Sequence, residues 1–506
     1  AARHQPIALP TAGDHLCRLV RPLRVASDAK QFRLNPNDDT VHFRSWLSLG
    51  CGVIDGSEAH ELCARRIGFA TLRLDRRGRP TVARTVSRGP RLRKAPVDRS
   101  AVPHSDLGSL PHQRTGLVMS KLNQTVIVGI GESKYFKHGG SPVAEFLLTV
   151  EAVRNACADA GLDPRDVDGF ASFSEDRTQP TKLAGALGVR QLNFSNMVWG
   201  AGGGGCAAAI GNAAAAVNAG LADHVVVYRG LAQGQFGRFG RGEYPVVGAN
   251  PFADFIPYGM FAPVHLCALH TRRFMHQYGV TQDALAAIAL TSYSHAQRNP
   301  RAVMYGRPLT REKYDNSRWI AEPFHLYDCC QENDGATAAI VTTAERGRDL
   351  TGATVRILGA AQGATPRQSA RDRSCPDFAS ANFRPTAKRL FDQAGLLPSE
   401  VDVLQAYENF TGGVVVSLVE HGFCELDEVN DFMTEDNFRW DGGGLPLNTS
   451  GGNLAEAYIH GLELVAESVR QVRGEATSQV RNVETAMVIG GPFDQVVSNL
   501  LLGKDV

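Results

Sequence analysis

The apolar positions fall into short runs that alternate with amphipathic stretches. Thr125–Gly131, "TVIVGIG", predicts a short strand with a glycine exit. Pro142–Gly161 predicts a helix, with proline at its start and glycine at its end. Trp199–Val227 then combines a tight glycine turn, a helix of small residues and an apolar strand. No apolar run approaches the roughly 18–20 residues that a membrane span needs.

The pattern is written twice. Thr354–Gly363 repeats the strand with its glycine exit, and Ala381–Gly395 repeats the helix. "AGLLPSEVDVLQAYENF" (Ala394–Phe410) matches "AGLDPRDVDGFASFSED" (Ala160–Asp176) in its Ala, Gly, Leu, Pro and Val-Asp positions, at an offset of 234 residues. Each half continues with a glycine-rich turn, a helix and an apolar strand, over Gly200–Val227 and over Ser450–Gly490. Between the halves lies an insertion of about 229–332, rich in aromatics, His and Gly. Alternating strands and helices predict layered α/β units. Their duplication predicts two pseudo-symmetric halves with a site at the junction.

Composition changes this picture at one end only. The chain has 506 residues, 43% apolar and 21% charged, ordinary for a globular protein, and its length allows two to four domains. The net charge of +1 points to neither nucleic acid nor a membrane surface. That total conceals an asymmetry. Residues 1–118 hold 18 Arg and 2 Lys against 10 acidic residues, a balance of +10, which leaves −9 for the rest. They carry no sustained helical or strand period, and the first methionine is Met119. A basic nucleic-acid-binding arm is one reading; the favoured one is an upstream extension, translated in frame and disordered. The expected domains are therefore 119–353, containing the insertion, and 354–506. The ten cysteines form no CxxC pair and read as reduced thiols of a cytoplasmic protein. His265, His270 and His276 have no metal-ligand spacing with a matched acid, so no metal is expected.

The duplicated halves, the glycine turns and the intervening loop insertion resemble the thiolase fold. The likeness covers about Lys121–Leu502. It rests on "GLADHVVV" (Gly220–Val227), "ENDGATAAIV" (Glu332–Val341), "LPLNTSGGNLAEAYIHG" (Leu445–Gly461) and "AMVIGGP" (Ala486–Pro492). Within that superfamily the chain is most similar to the sterol-carrier-protein-type thiolases and their lipid-transfer-protein relatives. The resemblance implies two βαβ halves in αβαβα layers with a loop domain.

A thiolase needs a cysteine nucleophile, a base and donors for the thioester oxygen. The family pattern places the nucleophile at Gly203, so the cysteine is absent. Cys206 lies three residues on and is an alternative nucleophile or a buried helix residue. The second station reads Tyr407-Glu408-Asn409-Phe410, and the third, where the family has a histidine, falls on Tyr458, with His460 two residues later. The fourth reads Val488-Ile489-Gly490-Gly491, with valine for cysteine. A tyrosine pair in these places resembles the Ltp2-like steroid side-chain aldolases. Cys330 precedes an apolar strand and reads as structural.

A β-hydroxyacyl-CoA needs no nucleophile, because loss of its hydroxyl proton breaks the Cα–Cβ bond directly. The implied function is an aldolase-type lyase that releases a ketone and a short acyl-CoA, such as propionyl-CoA. Tyr407 and Tyr458 supply acid and base, in an order the sequence leaves open, and His460 supports them. An unperturbed phenol titrates near pH ~10, so the base needs a nearby cation or donor. A spacing of two on a helix would turn His460 away from Tyr458. Gly203 leaves space for a bulky carbon, its turn favours negative charge, and Gly490 and Gly491 form a second oxyanion turn. The CoA thioester is substrate, and no cofactor is implied. Implied partners are a second copy of the chain and a separate DUF35 protein carrying an OB-fold. Three other classes stay open: a thiolase or acetyltransferase using Cys206, a non-catalytic acyl-CoA-binding subunit, and a nucleotide-binding oxidoreductase. The last is disfavoured by Arg229, which stands where a dinucleotide site wants an acid.

Overall fold

The computed structural model describes residues 121–199, 202–236, 255–260, 262–350, 352–365 and 377–505, together with two short strands upstream. Those strands, Thr71–Leu74 and Pro80–Ala83, pair antiparallel in a separate unit, a hairpin that the sequence pattern does not announce. The rest of residues 1–118, and with it the expected disorder, lies outside the described residues.

The strands of the first half are β1 (Thr125–Glu132), β2 (Gly169–Phe173), β3 (Phe194–Val198), β4 (Val225–Ala232) and β5 (Asn333–Thr343). Those of the second are β6 (Val355–Gly363), β7 (Val403–Ala406), β8 (Thr485–Gly490) and β9 (Val497–Lys504). They run in the order β7-β8-β9-β6-β1-β5-β4-β2-β3, and the two-residue strand Phe136–Lys137, paired with β5 off this path, makes the sheet ten-stranded. The order within each half is the same. In the first, β5 runs antiparallel to β4 and β1, and β2 lies parallel to β3 and β4. In the second, β9 takes the antiparallel place and β7 lies parallel to β8. Where the second half would need its third strand, Leu447 makes a single parallel bridge to Leu404. The halves meet at β1 and β6 through two antiparallel residue pairs.

The helices complete the layers. They are α1 (Glu145–Ala160), α2 (Cys206–Asn218), α3 (Pro263–Tyr278), α4 (Gln282–Ala296), α5 (Arg384–Ala394), α6 (Thr411–Glu420) and α7 (Leu462–Arg473). α2 and α7 each touch strands of both halves, while α1 covers the first half and α5 the second. This is the predicted αβαβα arrangement. Its middle layer is narrow, and α2 suits it because Ala207, Ala208, Ala209, Ala213 and Ala214 are all buried.

The sequence repeat is a structural repeat. Gly161 and Gly395 close α1 and α5 in the left-handed conformation, at φ 68° and 67°. Each is followed by a short 3-10 turn, Pro164–Asp166 or Pro398–Glu400, and then by β2 or β7. The predicted strand and helix bounds hold to within a few residues. The insertion begins later than predicted, because β4 runs through Ala232 and carries Arg229 within it. Its described part contains α3 and α4. Among the described residues no helix is long and apolar enough to cross a membrane.

α1 sits on β1 at backbone distance. A β-carbon at Gly131 would lie 2.7 Å from the Asn155 carbonyl carbon and closer still to backbone atoms of Ala152 and Ala156. No side-chain motion relieves a backbone clash. Gly131→Ala is therefore expected to destabilise the chain by about 1–3 kcal/mol, read as a lower denaturant midpoint in equilibrium unfolding.

Candidate active site

Two glycine turns, one from each half, meet between the halves. The first, Gly202–Gly205, leads into α2, and the second, Gly490–Gly491, ends β8. Glycine is required by close approach. A β-carbon at Gly490 would lie 2.6 Å from Cys206 Sγ and 2.7 Å from the Gly203 carbonyl oxygen. One at Gly491 would collide with the Gly204 backbone, and one at Gly204 with the Val496 carbonyl. Gly490 and Gly491 thus lock against the first turn backbone to backbone.

Tyr407 leaves the end of β7 with its N–H bonded to the Ile489 carbonyl at 2.8 Å, which carries its ring into this junction. A β-carbon at Gly203 would lie 2.5 Å from Tyr407 Cζ and nearer still to Cδ2 and Cε2. One at Gly461 would lie 3.0 Å from Tyr407 Cδ2. The ring is therefore seated between two glycines. This corrects the expectation that Gly203 leaves room for substrate, because the phenol occupies that space.

Tyr458 follows a π-turn, Gly452–Glu456, and its N–H bonds Asn333 Oδ1 at 2.9 Å. Its hydroxyl lies 2.5 Å from the Tyr407 hydroxyl. The sequence-predicted pair is thus brought together. Both rings are buried, at 1% and 6% exposure. Burial pushes both hydroxyls well above their ordinary range.

His460 precedes α7 at φ 53°, off the helix, so the spacing-of-two objection does not apply. Its ring meets Tyr458 edge to face at 5.1 Å. Arg229 NH2 donates to His460 Nδ1 at 2.9 Å. Guanidinium can only donate, so the imidazole is neutral and carries its proton on Nε2. Burial and the charges of Arg229 and Arg177 hold it well below its ordinary pKa. His460 is neutral, not a cation, with its ring set against Tyr458. Arg229 is held in turn by Asp176 at 3.3 Å and by the Phe173 carbonyl at 3.0 Å. Sequence reading treated Arg229 only as an objection to dinucleotide binding. An arginine inside the apolar run "VVVYRGLA" was the available signal, since a buried charge requires partners.

Three further residues complete the junction. Cys206 is fully buried, with Sγ set against the positions where Gly461 and Gly490 lack side chains. Burial, reinforced by Glu463 and Asp494, pushes its thiol up, the reverse of an activated nucleophile. Cys330 lies close enough to the pair for its thiol and the Tyr458 hydroxyl to act on one another. Asp494, which sequence reading missed, accepts the Gly204 N–H at Oδ2, 2.9 Å away. The Gly204 amide is therefore engaged by the chain's own carboxyl. A lone acid after "GGPF" carries no motif, so only the fold reveals it.

The "Thiolase C-terminal domain-like" family matches residues 364–501. The 17-hydroxy-3-oxo-4-pregnene-20-carboxyl-CoA lyase of Mycobacterium tuberculosis is 39% identical over 396 residues, covering 75% of this chain and 99% of that protein. The steroid side-chain-cleaving aldolase of Thermomonospora curvata is 39% identical over 391 residues, covering 75% and 97%. Among solved structures, an Ltp2-ChsH2(DUF35) aldolase matches with TM-score 0.71 and 38% identity, over 76% of this chain and 98% of that one.

The seat of Tyr407 is testable. Gly203→Ala is expected to drive the ring out, separate the two hydroxyls and cost about 1–3 kcal/mol of stability. Equilibrium unfolding and a crystal structure of the variant would check both effects.

Proposed function

We propose a function from the premise that this chain belongs to the thiolase superfamily, in its steroid side-chain-cleaving aldolase branch. It is an aldolase-type carbon–carbon lyase acting on an acyl-CoA. The substrate class is a β-hydroxyacyl-CoA with a tertiary, steroid-like β-carbon. The products are a ketone and a short acyl-CoA such as propionyl-CoA.

One observation carries this proposal. The ring of Tyr407 fills the space beside Gly203, and its hydroxyl bonds that of Tyr458 at 2.5 Å. A covalent acyl intermediate has no side chain to form on at that position. A hydrogen-bonded phenol pair instead suits proton movement. Loss of the β-hydroxyl proton turns the C–O bond into a carbonyl and sends the Cα–Cβ electrons into the thioester enolate. A proton delivered to Cα completes the reaction. Tyr407 and Tyr458 hold and pass these protons at their hydroxyls. His460 Nε2–H supports Tyr458, oriented through Arg229 and Asp176. The thioester is the substrate, and the scheme calls for no further cofactor.

We infer two protein partners. A DUF35-type subunit is suggested by the two-component solved relative. A homodimer is favoured by the edge strand β3, where Met197 is 43% exposed, and by Trp199 beyond it at 79%. A cytoplasmic location fits a CoA-thioester substrate.

The experiment is a product assay on β-hydroxyacyl-CoA thioesters, including a steroid C22 thioester, with and without a DUF35 partner. Release of ketone and short acyl-CoA is expected. Tyr407→Phe and Tyr458→Phe should each lower kcat/KM by about 10²–10⁴-fold, while Cys206→Ala retains activity. Thiolysis of a β-ketoacyl-CoA that survives both tyrosine changes and is lost in Cys206→Ala would replace the lyase with a thiolase.

A further inference from the structure

If the protein is the lyase proposed above, its two phenols do not by themselves supply a base. Both hydroxyls are buried and neutral, and His460 is neutral. Cleavage starts only when some group takes the β-hydroxyl proton. Two carboxyls lie close enough to act electrostatically on Tyr458, those of Glu463 and Asp494. Glu463, in the first turn of α7, accepts from Asn453 Nδ2 at Oε1.

Asp494 is differently placed. Its Oδ2 accepts only the Gly204 amide among the described hydrogen bonds. The point where Gly202 would carry a β-carbon lies 3.1 Å from Asp494 Oδ2, 3.5 Å from Oδ1 and 3.5 Å from the Tyr407 hydroxyl. The same oxygen would lie 2.5 Å from a β-carbon on Gly491. The carboxyl thus sits in a slot walled by Gly202, Gly204 and Gly491 and faces Tyr407 across the first of these. Its backbone is fixed: Asp494 N–H donates to the Gly491 carbonyl at 3.1 Å, and Asn382 Nδ2 donates to the Asp494 carbonyl at 3.4 Å.

We propose that Asp494 is the base of the site, taking the substrate's β-hydroxyl proton in the space that its carboxylate shares with the Tyr407 hydroxyl. The O–H electrons become the carbonyl bond, and the Cα–Cβ pair passes to the thioester enolate. A phenol of the Tyr407–Tyr458 pair then protonates Cα, and the pair recovers that proton from Asp494. One proton moves from oxygen to carbon, and the protein ends as it began. Burial pushes the Asp494 carboxyl well above the ordinary aspartate range, and the Gly204 amide opposes that shift. The titratable groups that respond to its charge are Tyr407, Tyr458 and Cys206.

Asp494→Asn keeps an oxygen acceptor for the Gly204 amide and nearly the same volume, but cannot ionise. In the full chain with its DUF35 partner, kcat/KM is expected to fall about 10²–10⁴-fold with an unchanged melting temperature. The acid limb of the wild-type pH profile, placed above the ordinary aspartate range, should vanish. Asp494→Glu should keep that limb at a reduced rate. Wild-type turnover with Asp494→Asn within threefold of it, acid limb intact, overturns the assignment and leaves the lyase standing. If Asp494→Asn does not fold, Asp494→Glu decides: a retained limb supports the assignment and a missing one overturns it. Wild-type protein that cleaves no β-hydroxyacyl-CoA overturns the lyase, and this assignment with it.

Discussion

Everything at the centre of this molecule depends on two peptide backbones touching without side chains between them. Gly203 and Gly204 pack on Gly490 and Gly491 at distances no β-carbon tolerates. That contact joins the start of α2, from the first half, to the end of β8, from the second. It also fixes the line along which β7 ends, because Tyr407 bonds the residue just before Gly490. Each half supplies one of these turns, the first at a helix start and the second at a strand end, and the contact brings them face to face. The position of the phenol is thus set by contact between the halves and not by local loop sequence.

Around the contact, the core is unusually polar for its depth. Asp176, Arg229, Glu408, His460 and Glu463 are all buried. Charges at such depth are costly unless paired, and each finds partners. Arg229 bridges Asp176 and His460. Burial raises Glu408 and Glu463 to about 8, so near neutral pH each is largely protonated and imposes little charge. Asn448, Ser292 and the Leu454 amide satisfy Glu408, and Asn453 donates to one oxygen of Glu463. These groups hold the two bends carrying Tyr407 and Tyr458. A rigid polar frame permits a 2.5 Å phenol pair to persist in a buried site.

Much of this was legible in the chain. Periodicity and punctuation located the strands and helices, because glycine C-caps and apolar runs are local signals. The 234-residue repeat announced the two halves, and family spacing put Tyr407 and Tyr458 at corresponding stations. What stayed hidden was contact between distant segments. Nothing local in "GGPFD" shows that Asp494 reaches the Gly204 amide, 290 residues away in sequence. Nothing beside Gly203 reveals that its missing side chain is replaced by a ring from β7. Cys330 likewise looks structural until the fold sets it against Tyr458. The upstream arm was judged by the same local signals, which did not show its hairpin.

The carboxyl at the turn also bears on why acyl transfer is poorly suited to this site. A tetrahedral thioester intermediate places a full negative charge on one oxygen, normally met by the amides of such a turn. Here the Gly204 amide already faces Asp494 at 2.9 Å. In the ionised form that a base requires, Asp494 would repel a second anion about 4 Å away by about 4 kcal/mol at an effective dielectric of ~20, roughly a thousandfold in rate. Retro-aldol cleavage meets the same carboxylate differently. It begins by giving Asp494 a proton, so the charge is removed before the enolate forms. The group that penalises acyl transfer is therefore the one that cleavage neutralises in its first step.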